Sequence, residues 1–73
     1  MIEVRLFAIL RDGREKIYYL PPDDFNKALD ILEYFQIPPA DVSIYLINGM
    51  HSGLDDVVND EDIIALFPPV GGG

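Results

Sequence analysis

Apolar and polar residues alternate along the first ten positions of the chain, a pattern typical of a β-strand with one buried face. The stretch is "IEVRLFAIL", and one face collects five of its apolar members: Ile2, Val4, Leu6, Ala8 and Leu10. Phe7 and Ile9 fall on the opposite face, among charged residues. Asp12-Gly13 then favours a turn, and "EKIYYL" predicts the returning strand of a hairpin.

The following stretch, "PPDD", predicts the end of that strand and the start of a helix. Proline does not extend a strand ladder, and Asp23 or Asp24 can cap a first helical turn. Apolar residues then recur at helical spacing and form one stripe: Phe25, Ala28, Leu29, Leu32 and Phe35. We interpret this stripe as core, and the prolines of "IPP" end the helix.

Three further strands are predicted in the second half of the chain. "SIYLING" is a third strand, and its Asn48-Gly49 pair favours a hairpin to a short strand in "MHSG". "LDDVVNDED" predicts an irregular acidic connection, anchored by Leu54 and by Val57 or Val58. "IIALF" is then the last strand.

This order of elements predicts an α+β protein with the β-grasp (ubiquitin-like) arrangement. A mixed sheet of four or five strands packs on one helix, in a single domain spanning 1–73. The first and last strands are neighbours in such a sheet. If Ile64 and Leu66 point inward, Phe67 points outward, and we expect it to form an exposed apolar patch with Phe7.

The net charge of −8 narrows the classes of partner that this chain is expected to bind. Phosphate contacts of nucleic acids require the opposite sign, and an anionic membrane surface repels this chain, so we expect neither as a partner. A protein with a basic face fits better as a partner.

The absence of cysteine excludes disulfides and thiolate metal sites. The sequence shows neither a signal-peptide pattern nor a membrane-spanning run, and a cytoplasmic location is expected.

The sequence ends in "LFPPVGGG", which has no evident role in a core. Pro68 and Pro69 restrict the backbone, so we expect 68–73 to project from the sheet as a tail. Glycine has no side chain, and Gly71, Gly72 and Gly73 can therefore enter a narrow tunnel in another protein. The carboxylate of Gly73 is unhindered and ionised at neutral pH.

Other candidate sites are weaker. His51, the single histidine, is interpreted as a hairpin-edge side chain, because neither a cysteine nor a serine partner is evident near it. The acidic run lacks the ligand spacing of a calcium-binding loop and is interpreted as a solvated surface that steers a basic partner. We expect no metal site and no bound cofactor.

The chain resembles the MoaD/ThiS family of ubiquitin-like sulfur carriers over essentially its whole length. The resemblance rests on "VRLFA", "LING", "DED" before the last strand and, above all, "ALFPPVGGG". "FPPV" is closer to the small subunit of molybdopterin synthase than to the thiamine-pathway carrier. Two features depart from the family pattern: the short "RDGRE" between the first strands, and Glu61, where many relatives have glycine.

The resemblance implies a carrier that is a cosubstrate of enzymes and not an enzyme itself. An adenylyltransferase (MoeB/ThiF-like) uses ATP to activate Gly73, and sulfur then displaces AMP to leave a thiocarboxylate. A sulfur-accepting synthase (MoaE-like or ThiG-like) receives the tail. In the resemblance, Phe7 and Phe67 match aromatic positions that contact the partner, and Gly72 and Gly73 match the functional terminus. Gly71 occupies a position that varies in the family. We expect the inserted tail to contact partners through five residues: Pro68, Pro69, Val70, Gly71 and Gly72.

Several products and roles stay open from the sequence. We expect molybdopterin or tungstopterin synthesis, with thiamine or another sulfur-containing product as alternatives. The same glycine tail suits a ubiquitin-like modifier joined to lysines of target proteins. A noncovalent β-grasp adaptor, in which the glycines are incidental, is the third hypothesis.

Overall fold

The computed structural model describes residues 1–69, and these form one five-stranded sheet with a helix on one face. The strands are β1 (Ile2–Leu6), β2 (Ile17–Leu20), β3 (Ile44–Ile47), β4 (Met50–His51) and β5 (Ile63–Phe67). The helix is α1 (Ala28–Phe35), and short 3₁₀ turns occupy Ala8–Arg11, Pro22–Asp24 and Pro39–Asp41. The predicted β-grasp architecture is confirmed.

The sheet order is β2-β1-β5-β3-β4, so the first and last strands lie side by side in the middle. They run parallel, with Val4 opposite Ile64 and Leu6 opposite Leu66, and both flanking pairs are antiparallel. Since paired residues share a face, these four side chains meet on one side of the sheet. All four are fully buried beneath α1 and its neighbouring loops, as the alternation predicts for positions 4, 6, 64 and 66.

The first strand is shorter than its alternation predicts. It ends at Leu6, and the prediction of a strand reaching Leu10 is wrong. Ala8 has φ of 53°, a left-handed conformation that turns the chain out of the sheet and into the 3₁₀ turn. Leu10 is still buried, because the turn folds it back onto the core. A strand that continued to position 10 and a turn that folds back would both bury Leu10, so the apolar pattern does not distinguish them.

The helix also starts later than predicted. Asp23 and Asp24 belong to the separate 3₁₀ turn, and neither caps α1. The carboxylate of Asp30 caps instead, and accepts hydrogen bonds from the backbone N–H groups of Asn26 (2.9 Å) and Lys27 (3.2 Å). Ile31 joins the buried stripe, whereas Leu29 is only partly buried.

The acidic connection before β5 is anchored by Leu54 and Val58, whereas Val57 is 67% exposed. Of the two predicted valine anchors, Val58 is therefore the right one. Glu61 adopts φ of 70°, the left-handed conformation that glycine reaches at least cost. The turn before β5 thus keeps a conformation suited to glycine, although a glutamate occupies the position.

Tyr45 is buried on β3, and its hydroxyl makes no hydrogen bond within residues 1–69. Burial, followed by the nearby carboxylates of Asp56 and Asp62, raises the pKa of this hydroxyl above its ordinary value of 10.0. A buried hydroxyl without a partner costs free energy, because it gives up its hydrogen bonds to water on folding.

Leu66→Ala is expected to lower the free energy of unfolding by about 2–5 kcal/mol, because it leaves a cavity on the central strand. Ile63→Ala is the matched control: Ile63 lies on the same strand but is 38% exposed, and we expect a loss of about 1 kcal/mol or less. Urea denaturation measures both values. Equal losses would contradict the assigned orientation of β5.

Tyr45→Phe is expected to raise the free energy of unfolding at neutral pH by about 1 kcal/mol, since it removes the unpaired hydroxyl. In the wild type, the unfolded chain loses the phenolic proton above about pH 10, while the folded protein retains it. Wild-type stability therefore falls as the pH rises through that range, and the advantage of the variant widens. Denaturation at neutral and alkaline pH, with Tyr19→Phe as an exposed control, tests both expectations.

Candidate functional site

The site is built around the end of β5, where the tail leaves the sheet. Phe67 is the last residue of the strand, Pro68 is half-buried, and Pro69 is exposed. β5 lies between two neighbouring strands, which hold its end in place. Four of the predicted site residues lie outside the described residues: Val70, Gly71, Gly72 and Gly73.

Phe7 and Phe67 meet on the face of the sheet opposite α1. Their ring centroids are 4.2 Å apart and the ring planes differ by 10°, so the two rings stack. The N–H of Phe7 donates to the carbonyl of Leu66 over 3.2 Å, which extends the β1–β5 pairing by one step. Both side chains are half-buried. The structure thus brings these two predicted residues together, as a partly exposed aromatic pair beside the tail root.

Arg11 belongs to this surface and was not singled out from the sequence. Its Nε donates to the carbonyl of Leu6 over 2.8 Å, and its guanidinium carbon lies 5.6 Å from the centre of the Phe7 ring. A cation near an aromatic face is attracted by the ring quadrupole. The alternating pattern gave no signal for this contact, because it arises only when the 3₁₀ turn reverses the chain after Phe7.

Two clefts flank the tail root. One, of about 210 Å³, lies beside the aromatic pair and is lined by Arg5, Leu6, Phe7, Arg11, Lys16 and Ile17. The other, of about 300 Å³, is lined by Ile9, Leu10, Arg14, Gln36, Ile37, Pro38, Asp41, Pro68 and Pro69. In the second cleft the Arg14 guanidinium donates to the carbonyls of Leu10 (3.1 Å) and Phe35 (2.9 Å), which ties the 3₁₀ turn to the end of α1.

A larger cavity, of about 570 Å³, lies at the other end of the sheet, where β2 ends at Leu20. The pairing register places Leu20 opposite Ile2, at the start of β1, whereas the tail root adjoins the end of β1. This cavity is therefore remote from the tail. His51 lies on the exposed edge strand β4, as predicted.

Within residues 1–69, none of the acidic and histidine side chains form a group of three that is able to hold a metal ion. The same part of the chain contains no helix of the length and apolarity needed to cross a bilayer.

Solved structures of similar fold come from archaea and bacteria. The chain is similar to SAMP1 from Haloferax volcanii, with 28% identity, a TM-score of 0.72, and 99% of this chain and 98% of that chain covered. It is also similar in fold to a structure of the complex of subunits 1 and 2 of the molybdopterin-converting factor from Helicobacter pylori 26695. Identity there is 24%, the TM-score is 0.66, and coverage is 99% of this chain and 97% of that chain.

A third similar structure is the putative molybdopterin-converting factor subunit 1 from Pyrococcus furiosus. It shares 23% identity, with a TM-score of 0.64 and coverage of 94% of this chain and 97% of that chain. A search of curated proteins gave no significant match. The model of the ThiS family matches residues 4–73, nearly the whole chain. The chain therefore belongs to the ThiS family, and it has the ubiquitin-like β-grasp fold of that family's sulfur carriers.

Proposed function

We propose that this protein carries sulfur as a thiocarboxylate on Gly73. The observation that carries the proposal is the family match, which extends through the glycines to residue 73. The structure supports it by placing the last strand at the centre of the sheet, so that the tail starts from a fixed point beside an aromatic pair.

The chemistry follows from the properties of a carboxylate. Ionised at neutral pH, the Gly73 carboxylate is a poor electrophile and requires activation. One of its oxygens attacks the α-phosphorus of ATP, and pyrophosphate leaves. A hydrosulfide ion then attacks the carbonyl carbon, and the bond to AMP breaks. AMP leaves, and loss of the proton from sulfur gives a thiocarboxylate on Gly73.

The tail requires help from the folded domain. Ordering each glycine in a partner's tunnel costs about 1–2 kcal/mol, so contacts elsewhere must offset that cost. Phe7 and Phe67 are placed to provide them, since half-buried rings still expose apolar area to a partner. Pro68 stiffens the start of the tail and thereby reduces the freedom that binding removes.

Two partner proteins follow from this proposal. An adenylyltransferase of the MoeB/ThiF type binds ATP and activates Gly73, and a synthase of the MoaE or ThiG type accepts the sulfur. We propose molybdopterin or tungstopterin as the product, because two structures of similar fold are named as molybdopterin-converting factors. Thiamine synthesis is the alternative, in line with the family name. Activation that consumes ATP fits a cytoplasmic location.

A second candidate function is attachment to other proteins. The similarity to SAMP1, a small archaeal modifier protein, favours it at 28% identity. The same acyl adenylate serves both functions, and the outcome depends on whether sulfur or a lysine amine attacks the carbonyl. A noncovalent adaptor needs no such chemistry, and deletion of Gly72 and Gly73 would leave its activity intact.

Incubation of the protein with ATP, its activating enzyme and a sulfide source is expected to increase its mass by the exchange of one oxygen for one sulfur. Intact-protein mass spectrometry detects the change, and fragmentation should localise it to Gly73. A chain lacking Gly73 is the control. An unchanged mass with a demonstrably active cognate enzyme would count against the carrier proposal, and lysine-linked conjugates in extracts would favour the modifier.

Phe7→Ala and Phe67→Ala are each expected to raise the KM of the activating enzyme for this protein about tenfold. Loss of apolar area in a docked ring weakens binding by about 1.5–3 kcal/mol, less where the rings already shield each other. We expect kcat to change little, since Gly73 is untouched. Tyr34→Ala, an aromatic residue 60% exposed on α1, is the control. Equal changes in KM for all three variants would show that the aromatic pair is not part of the docking surface.

A further inference from the structure

The charge of this protein is unevenly distributed along the chain. Residues 1–16 contain four basic and three acidic side chains, for a formal charge of +1. The whole chain has a charge of −8, which leaves −9 for residues 17–73 and only one basic residue there, Lys27. The negative net charge therefore comes from residues 17–73, whereas β1 and the first part of the β1–β2 connection are slightly positive.

The fold separates these charges in space. Asp60 contacts the N-terminal ammonium group, and the carbonyl of Asp62 accepts a hydrogen bond from the N–H of Glu3. Both contacts place the acidic connection at the start of β1. Three basic residues, Arg5, Arg11 and Lys16, line the small cleft at the end of β1, beside Phe7. One end of the sheet is thus acidic, and the end from which the tail leaves has a basic cleft.

The acidic groups near that cleft leave part of its charge uncompensated. Arg5 is paired with Glu3, at 2.5 Å between Nε and a carboxylate oxygen. Asp12 and Glu15 are exposed in the connection, and Asp41 lines the cleft on the other side of the tail root. Arg11 and Lys16 are both exposed, and neither forms an ion pair with another side chain of residues 1–69.

We propose that this basic cleft is the docking site for an acidic side chain of the adenylyltransferase that activates Gly73. The inference rests on the proposed function, because it assumes a partner seated at the tail root. An aspartate or glutamate of that partner enters between Arg11 and Lys16, while its apolar surface covers the adjacent Phe7 and Phe67. Arg11, whose guanidinium carbon lies 5.6 Å from the centre of the Phe7 ring, then links the charged and apolar parts of the contact.

At this cleft the proposed partner group is acidic, whereas the net charge of the chain favours a basic partner surface. A partner chosen by net charge alone has a uniformly basic face, whereas this surface requires a carboxylate beside the tunnel that takes the tail. A basic surface elsewhere on the partner still attracts the acidic end of the sheet. The two charges together fix the orientation of approach, and electrostatic complementarity of this kind acts chiefly on encounter and specificity.

The test compares Lys16→Gln with Lys27→Gln in the full chain. Both changes remove one positive charge, so they alter the net charge equally. Lys27 is partly exposed and lies at the start of α1, where its Nζ is 4.0 Å from a carboxylate oxygen of Asp55, away from the cleft. The readout is the KM of the cognate activating enzyme for the carrier, with kcat followed in parallel. We expect Lys16→Gln to raise KM about two- to fivefold, as for an exposed ion pair, and Lys27→Gln to leave it unchanged.

Two further variants sharpen the comparison. Lys16→Glu places a like charge against the partner's carboxylate and is expected to raise KM more than Lys16→Gln. Arg11→Lys preserves the positive charge but removes the guanidinium group that lies over the Phe7 ring. It therefore distinguishes the effect of the charge on KM from the effect of the position of that group. The effect of Lys16→Gln is expected to shrink as salt concentration rises, since exposed charges are screened. Thermal unfolding of each variant confirms that the domain is folded.

The outcomes distinguish this inference from the proposed function. If wild-type protein gains the thiocarboxylate and both lysine variants have the same KM, the basic cleft is not a docking site and the carrier function stands. If Lys16→Glu lowers KM, the partner surface at this point is basic and the inference is overturned. If wild-type protein is not converted by an active cognate enzyme, the proposed function falls, and this inference falls with it.

Discussion

The parallel pairing of β1 with β5 is the contact on which the rest of the structure depends. It joins the two ends of the described chain at the centre of the sheet and buries Val4, Leu6, Ile64 and Leu66 beneath the helix. The same register brings Phe7 beside Phe67 on the opposite face. Core formation and assembly of the candidate docking surface are thus consequences of one strand pairing, because neighbouring strands present paired residues to the same side.

This coupling has a consequence for function. A tail that acts as a substrate has to start from a defined position, and an edge strand would give a less constrained origin. Here β5 is held by β1 on one side and β3 on the other. The strand end is therefore fixed, and the tail of the proposed carrier starts from a defined point on the domain. A domain of this size needs no deep catalytic cleft for such a role.

The region after β1 shows how local conformation shapes the surface. A left-handed Ala8 turns the chain back, which allows Arg11 to reach the carbonyl of Leu6 and to lie near the Phe7 ring. A non-glycine residue in this conformation costs of order 1–2 kcal/mol, and Leu10 offsets part of that cost by its burial. Glu61 accepts a similar cost in the turn before β5.

The sequence by itself determined the element order and the inward face of the two central strands, because alternation, helical spacing and turn residues are local signals. It missed the end of β1 and the true helix cap, since a 3₁₀ turn can bury Leu10 as a strand would, and Asp30 caps from inside the helix. Only the tertiary structure decided that Phe7 stacks on Phe67 and that basic side chains gather near the tail root. Those contacts join parts of the chain that lie far apart in sequence, and strand register, which no local pattern encodes, sets their positions.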